Sequence, residues 1–220
     1  MKDERHTVNG DSIIAEVPDA FPSDLPPRAQ NLLEAAHRLL IAHGYDGLSW
    51  AKVAKEAGEQ KSMIGYYFGD KACLVLELLK LMGRDSTTWM VHQVEAIPDG
   101  ADKIRAFLTR LRGVTGRPES MAFFDVLPHA IREDDLRQPI AELYTWYCLM
   151  TLKAFGLAEE TGVDPDLDAL GWLFMAACDG ILIQRALAPE NYPVDKVYAK
   201  LEQAMEYLVA SYRNREEPSS

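Results

Sequence analysis

Apolar residues recur every three or four positions along nearly the whole chain, and no stretch sustains a two-residue alternation rich in β-branched residues. From Arg28, the set Leu32, Leu33, Ala36, Leu39, Leu40 and His43 marks one face of a helix. Pro26 and Pro27 suit its entry and Gly44 its exit, while Tyr45 and Leu48 carry the apolar surface through the following turn. Ser49 is the expected N-cap of a second helix, SWAKVAKEAG, which Gly58 stops. The third residue after that cap is Lys52, so no capping box supports it. Val53, Ala54 and Ala57 form its small inner face; Lys52 and Lys55 look outward.

A third short helix is predicted over residues 60–68, with Ile64 and Tyr67 or Phe68 turned inward. Gly69, Asp70 and Lys71 interrupt it and start a fourth, ACLVLELLKLMGRDSTTWMVHQVE. Further helices are expected over about 99–114, 117–131, 134–156, 165–188 and 194–212, separated by Pro98, Gly113, Gly116, Pro118, Gly162, Pro165, Pro189 and Pro193. The fold class is all-α: an N-terminal three-helix unit followed by a larger helical bundle. Residues 1–27 are polar, lack a helical period and end in FPSDLPP, which predicts a mobile arm. The expected division is an arm over 1–27, a small helical domain over 28–74, a bundle over 75–213 and a disordered tail over 214–220.

Composition narrows the chemistry. The 220 residues are 48% hydrophobic and 26% charged, as in soluble globular proteins, with no run near the roughly 20 apolar residues of a membrane span. The first twenty residues mix charges of both signs and lack the apolar centre of a signal peptide, so a cytoplasmic location is expected. Cys73, Cys148 and Cys178 are far apart and suggest neither a disulfide framework nor a zinc site. The five histidines show no metal spacing, and neither metal nor cofactor is expected. The net charge of -11 argues at first against a nucleic-acid partner, yet it is unevenly spread. Residues 26–71 carry +1, against -4 for 1–25 and -8 for 72–220, so the short helical unit is spared the acidity of the rest.

Two short helices at about 50–57 and 60–67, joined by Gly58, Glu59 and Gln60, have the length and composition of a helix-turn-helix. In that motif the second helix enters the DNA major groove and the first crosses the backbone. The groove face would hold Gln60, Lys61, Ser62 and Tyr66; Ile64, Phe68 and part of Met63 would seat the helix. Helical hairpins are common in all-α proteins, so the pattern alone is weak. The gapless stretch GYDGLSWAKVAKEAGEQKSMIGYYFGDKACL, residues 44–74, resembles the TetR family of bacterial transcription regulators, whose consensus runs near GYxxxSVxxIAxxAGVSKGTLYHYFxSKExL.

That resemblance implies roles position by position. Ser49 caps its helix and touches the DNA backbone, Lys61 and Ser62 enter the groove near its edges, and Tyr66 stands at the usual histidine position near bases or phosphate. Tyr67 bonds a phosphate, Phe68 packs inward and Lys71 meets a phosphate at the start of the fourth helix. Three departures bear on the operator: Gly65 stands for a tyrosine, Glu59 for a small apolar residue and Trp50 for a small aliphatic one. Close packing against the DNA backbone would account for the glycine, Glu59 would repel phosphate, and the Trp50 indole N–H would reach the backbone.

Over 75–220 the resemblance is looser and implies a ligand cavity and a dimer. MAFFDVLPHAIREDDLRQPIAELYTWY is similar to the sixth and seventh helices of such regulators, so cavity residues are drawn from Met90, Phe107, Phe123, Phe124, Leu127, Tyr144, Tyr147, Met150, Trp172 and Met175. Taken singly, each is more commonly plain core. Asp125 and Asp179 interrupt apolar stretches, and His129 lies one turn after Asp125. Exposed or capped carboxylates and a satisfied pair are the commoner explanations; a buried acid orienting a polar or cationic ligand group is the functional one. The last two helices have broad apolar faces, and the resemblance implies that Leu173, Ala177, Ile181, Leu201, Met205 and Leu208 pair with a second copy. A two-fold dimer also meets the geometric need to read half-sites about 34–36 Å apart.

The function expected is a ligand-responsive regulator, a repressor by the resemblance. It would bind palindromic double-stranded DNA as a homodimer and be released by a small hydrophobic effector, with no membrane partner. Two other classes stay open: an all-α enzyme using Asp125 and His129 with Glu133, and a protein-interaction module. Salt-dependent binding to genomic fragments separates them from the regulator.

Overall fold

The structure is a computed structural model, and it describes residues 25–82, 97–98, 100–114, 118–158 and 165–216. Among the described residues there are nine helices and no strand: α1 Pro27–Gly47, α2 Trp50–Ala57, α3 Lys61–Phe68, α4 over 71–82, α5 Ala101–Val114, α6 Pro118–Ala130, α7 Asp134–Ala154, α8 Pro165–Leu187 and α9 Val194–Glu216. The all-α expectation holds. The arm expected over 1–27 and the tail over 214–220 fall largely outside the described residues; within them, Pro27 already belongs to α1 and α9 runs on to Glu216.

α1 enters on Pro27 at its first position, where the missing N–H leaves no intrahelical bond unmade. Its regular part ends where predicted: Gly44 takes φ 66°, a left-handed conformation that L side chains avoid, and one further turn follows to Gly47. Ser49 caps α2 by accepting the Lys52 N–H at 3.4 Å, and Gly58 closes α2 at φ 68°. α9 outruns its expected end near 212 because Tyr212 is buried and the Arg213 guanidinium donates to the Phe155 carbonyl at 3.1 Å.

Two apolar clusters organise the chain. The first joins α1–α4 to α6 and the first half of α7 through Leu32, Leu40, Ile64, Leu74, Leu78, Val126, Leu136 and Ile140. The N-terminal unit thus does not stand apart from the bundle; they share one core. The second cluster packs α5, the end of α7, α8 and α9 around Ile104, Phe107, Phe155, Phe174, Met205 and Val209. Phe107, Phe155 and Phe174 meet edge to face at 5.3–5.9 Å, an arrangement favoured by the ring quadrupoles.

Candidate functional site

The α2–α3 hairpin presents one continuous outer face. Ile64 and Phe68 anchor α3 inward, so Gln60, Lys61, Ser62 and Tyr66 come out on the other side, with Tyr66 77% exposed. Lys52 and Lys55 of α2 are exposed beside them. The edge of the Tyr67 ring meets Tyr66 at 4.9 Å, leaving Tyr67 half-buried.

The electrostatics of this face are set from behind it. The Arg38 guanidinium donates to Glu56 at 3.1 Å, and Arg28 lies 3.7 Å from Glu59. The carboxylate expected to repel phosphate therefore has a cationic partner on α1. Among the described residues, Lys52, Lys55 and Lys61 form no ion pair, so their charge faces solvent.

Two departures from the family pattern explain one another. A Cβ on Gly65 would come within 3.1 Å of Cζ3 and 3.2 Å of Cη2 of the Trp50 indole. The glycine thus makes room for Trp50, and an approach of DNA backbone is not required to account for it. Trp50 in turn is half-buried against the first core, so its indole contributes packing to the hairpin.

Lys71 sits at the first turn of α4. Its ammonium donates to the Tyr45 carbonyl at 3.0 Å and lies 3.6 Å above the centre of the Tyr45 ring. Burial lowers its pKa, while Asp46 and Glu133 oppose that shift.

Tyr45 is the centre of a joint not apparent from the sequence. Its N–H donates to Asp125 at 2.5 Å, its hydroxyl to Glu133 at 3.1 Å, and its ring stacks on His129 at 4.0 Å. Burial and Glu133 push the phenol up to about 12. His129 also lies 3.4 Å from Glu133 and 3.7 Å from Asp46. Asp125, His129 and Glu133 thus reach separate parts of α1: Asp125 an amide, His129 a ring face and Glu133 a hydroxyl. The signal available in the sequence was the i, i+4, i+8 spacing of 125, 129 and 133, which lays the three along one side of α6 and its exit.

The candidate cavity residues divide. Met90 lies outside the described residues. Phe107 is fully buried in the second core, edge to face with Phe155 and Phe174. Met150 is likewise buried. Phe123, Phe124, Leu127, Tyr144, Tyr147, Met175 and Asp179 are all intermediate in exposure, and Trp172 is 40% exposed. Within this second group Phe123 packs on Tyr144 at 5.7 Å and Tyr144 stacks on Trp172 at 6.2 Å. The Tyr144 hydroxyl donates to Asp179 at 2.7 Å. Desolvation raises the Asp179 carboxyl above its usual range, partly opposed by that bond. The Tyr147 phenol is raised by burial and by the charge of Asp179.

On the outer face of the bundle, the residues expected to meet a second copy also separate. Met205 and Ile181 are buried in their own protomer, and Ala177, Leu201 and Leu208 are half-buried. Leu173 is 55% exposed. It continues through Ala176, Gly180, Ile183 and Leu187 at alternating three- and four-residue steps, and Leu187 and Tyr207 are among the most exposed apolar residues described. Among the described residues, a Cβ on Gly180 would meet nothing within 4 Å, so this stripe is open to them.

Comparison with known proteins fits this geometry. Residues 32–78 match the family described as bacterial regulatory proteins, tetR family. No curated protein sequence matches the chain. Among solved structures, a transcriptional regulator from Pseudomonas aeruginosa PAO1 superposes with a TM-score of 0.69 at 23% identity, covering 90% of this chain and 98% of that one. The multidrug binding protein EbrR, complexed with imidazole, gives 0.62 at 21% identity, covering 85% and 95%. A transcriptional regulator from Saccharomonospora viridis in complex with choline gives 0.57 at 24% identity, covering 81% and 95%. The TetR resemblance read from residues 44–74 therefore holds, and the all-helical fold along most of the chain is that of these regulators.

Proposed function

We propose that the chain is a ligand-responsive, homodimeric transcriptional regulator, a repressor that leaves its operator when an effector enters the bundle. The observation that carries the DNA reading is the outer face of α2–α3, where Lys52, Lys55 and Lys61 form no ion pair among the described residues and lie beside Tyr66, while Glu56 and Glu59 are matched by arginines of α1. The net charge of -12 outside residues 26–71 (-4 over 1–25 and -8 over 72–220) disfavours other contacts with DNA, leaving this face for phosphate. Ser49, Trp50, Gln60, Lys61, Ser62, Tyr66, Tyr67 and Lys71 are the proposed contacts. Lys71 would have to exchange its bond to the Tyr45 carbonyl for one to phosphate.

The dimer would form on the open stripe of α8 and α9, with Leu173, Ile183, Leu187 and Tyr207 at its centre and Leu201, Leu208 and Ala177 at its margin. Ala176 and Gly180 would allow close helix approach. Two heads so joined can address successive half-sites on one side of the duplex. The effector would occupy the half-open aromatic group between α6, α7 and α8. Relatives of the same fold complexed with imidazole, proflavin and choline support a small-molecule effector. Release requires the effector to bind the DNA-incompetent conformer more tightly, since equal affinity for both shifts nothing.

The test is selection of bound genomic fragments followed by footprinting with wild type and with the double variant Lys61→Ala/Tyr67→Ala. A palindromic footprint present in the first and lost in the second is the expected result. Absence of any enriched fragment at low salt, with and without small-molecule extracts, would remove the DNA reading.

A further inference from the structure

Two of the aromatic clusters among the described residues differ in character. Phe107, Phe155 and Phe174 are sealed from solvent within an apolar cluster. Phe123, Tyr144 and Trp172 are partly accessible, and through Tyr144 they are joined to a carboxylate. Asp179 comes to them from α8, within a helix whose flanking residues are Ala176, Ala177, Cys178 and Gly180. A carboxylate removed from water is costly unless it is paired. Here its hydrogen bond is to the neutral Tyr144 hydroxyl, and among the described residues no lysine, arginine or histidine forms an ion pair with it.

The rings carry the second half of the argument. Tyr144 holds the carboxylate at its hydroxyl edge and turns a face to Trp172, with the two planes 22° apart. Phe123 closes on the Tyr144 ring from α6. Aromatic faces present negative potential and attract a cation within about 6 Å of the ring centre. A positive group placed beside Asp179 would thus be met by a full negative charge and by aromatic faces, in a site where water screens neither well. Tyr147 adds a hydroxyl whose ionisation the same burial suppresses, so it remains a neutral donor. An uncharged apolar ligand would leave Asp179 desolvated and without a counter-charge.

We propose that Asp179, Tyr144, Trp172 and Phe123 form the recognition site for a small organic monocation, of ammonium or aromatic-cation type. The proposal rests on the effector reading of the bundle and narrows the small hydrophobic effector expected from the sequence to one that carries a positive charge. Tyr144 positions the carboxylate, Asp179 supplies the charge, and Trp172 and Phe123 supply the faces.

The test uses the full-length protein and two probes of the same shape, choline and its neutral carbon isostere 3,3-dimethylbutan-1-ol, titrated by calorimetry and tryptophan fluorescence. Choline should bind saturably, and the alcohol at least about tenfold more weakly. Asp179→Asn keeps a partner for the Tyr144 hydroxyl and should abolish the preference for choline without lowering the melting temperature. Should that variant fail to fold, Tyr144→Phe, which keeps the ring and frees the carboxylate, should reduce the preference instead. Equal binding of both probes, binding of neither, or an undiminished preference in both variants overturns the proposal. Fragment selection without probe is read independently, so loss of the cation site with retained operator binding leaves the DNA reading standing.

Discussion

The indole of Trp50 occupies the space in which a side chain on residue 65 would begin: a Cβ on Gly65 would lie 3.1 Å from its Cζ3. The two residues are fifteen apart in sequence, one on α2 and one on α3, and each departs from the pattern of the family it resembles. A large residue at 50 is accommodated by the smallest at 65. We predict strong coupling between the sites. Gly65→Ala alone should be near neutral, because the gain in helix propensity of up to about 1 kcal/mol is offset by displacement of the indole. In a Trp50→Val background the same change should stabilise by about 1 kcal/mol, and a double-mutant cycle by thermal melting measures the difference. Additive effects would show that the indole moves aside without cost.

Lys52 and Lys61 should fail differently in DNA binding. Lys52 projects from α2, the helix expected to cross the backbone, and Lys61 from the start of α3. Lys52→Ala should weaken every fragment alike and reduce the slope of log affinity against log salt by about 1. Lys61→Ala should also alter which sequences are enriched. Identical salt slopes and identical selected sequences in wild type and both variants would place neither lysine at the interface.

The bond from the Tyr45 N–H to Asp125 predicts a stability defect at the joint of α1 and α6. Asp125→Ala leaves that amide without its charged acceptor, a loss of about 1–3 kcal/mol for a part-buried group. Gly44→Ala should be damaging as well, since residue 44 has φ 66° and a Cβ there would collide with the Asp125 carboxylate. Combining the two removes the collision and keeps the backbone strain, so the pair should cost less than the sum. Denaturant melts of the four proteins test this.

Acid should distinguish Asp179 from Asn. Its carboxyl is raised in the folded chain by desolvation, so the fold holds that proton more tightly than the unfolded chain does. The sign follows: stability is lost as pH rises from the unfolded carboxyl range, about 4, through the folded pKa. Above that window Asp179→Asn should melt at a higher temperature than wild type, or at least no lower. Below about pH 4 the advantage should close. A variant that melts lower at neutral pH would mean that the Tyr144 hydrogen bond outweighs the desolvation of the charge.

Local chemistry made the hairpin legible from sequence. Ser49 at the cap, Gly58 at the stop and the inward spacing of Ile64 and Phe68 are short-range signals, and each sits where its neighbours dictate. The joint at Tyr45 was hidden because its partners lie 80 and 88 residues away, beyond any periodicity. Phe107 and Phe123 could not be told apart by pattern either: both are apolar helical positions, and only the packing of Phe155 and Phe174 seals the first. On α9 a helical period marks one apolar face, with Leu201, Met205, Leu208 and Val209, but not what covers it. Met205 and Val209 proved to be buried within the chain, and Tyr207 lies exposed outside that face.

Tyr45 engages its neighbours through backbone and side chain alike: amide to α6, carbonyl to α4, ring to His129 and Lys71, and hydroxyl to Glu133 beyond the end of α6. A pin held at so many points transmits torque without slack. Any turning of the N-terminal helices with this joint intact must drag α6 with it, and α6 passes the motion to α7 through the core they share. At their seam Phe123 of α6 meets Tyr144 of α7. A molecule lodged there would act as a wedge at the short arm of a lever whose long arm ends at Lys61.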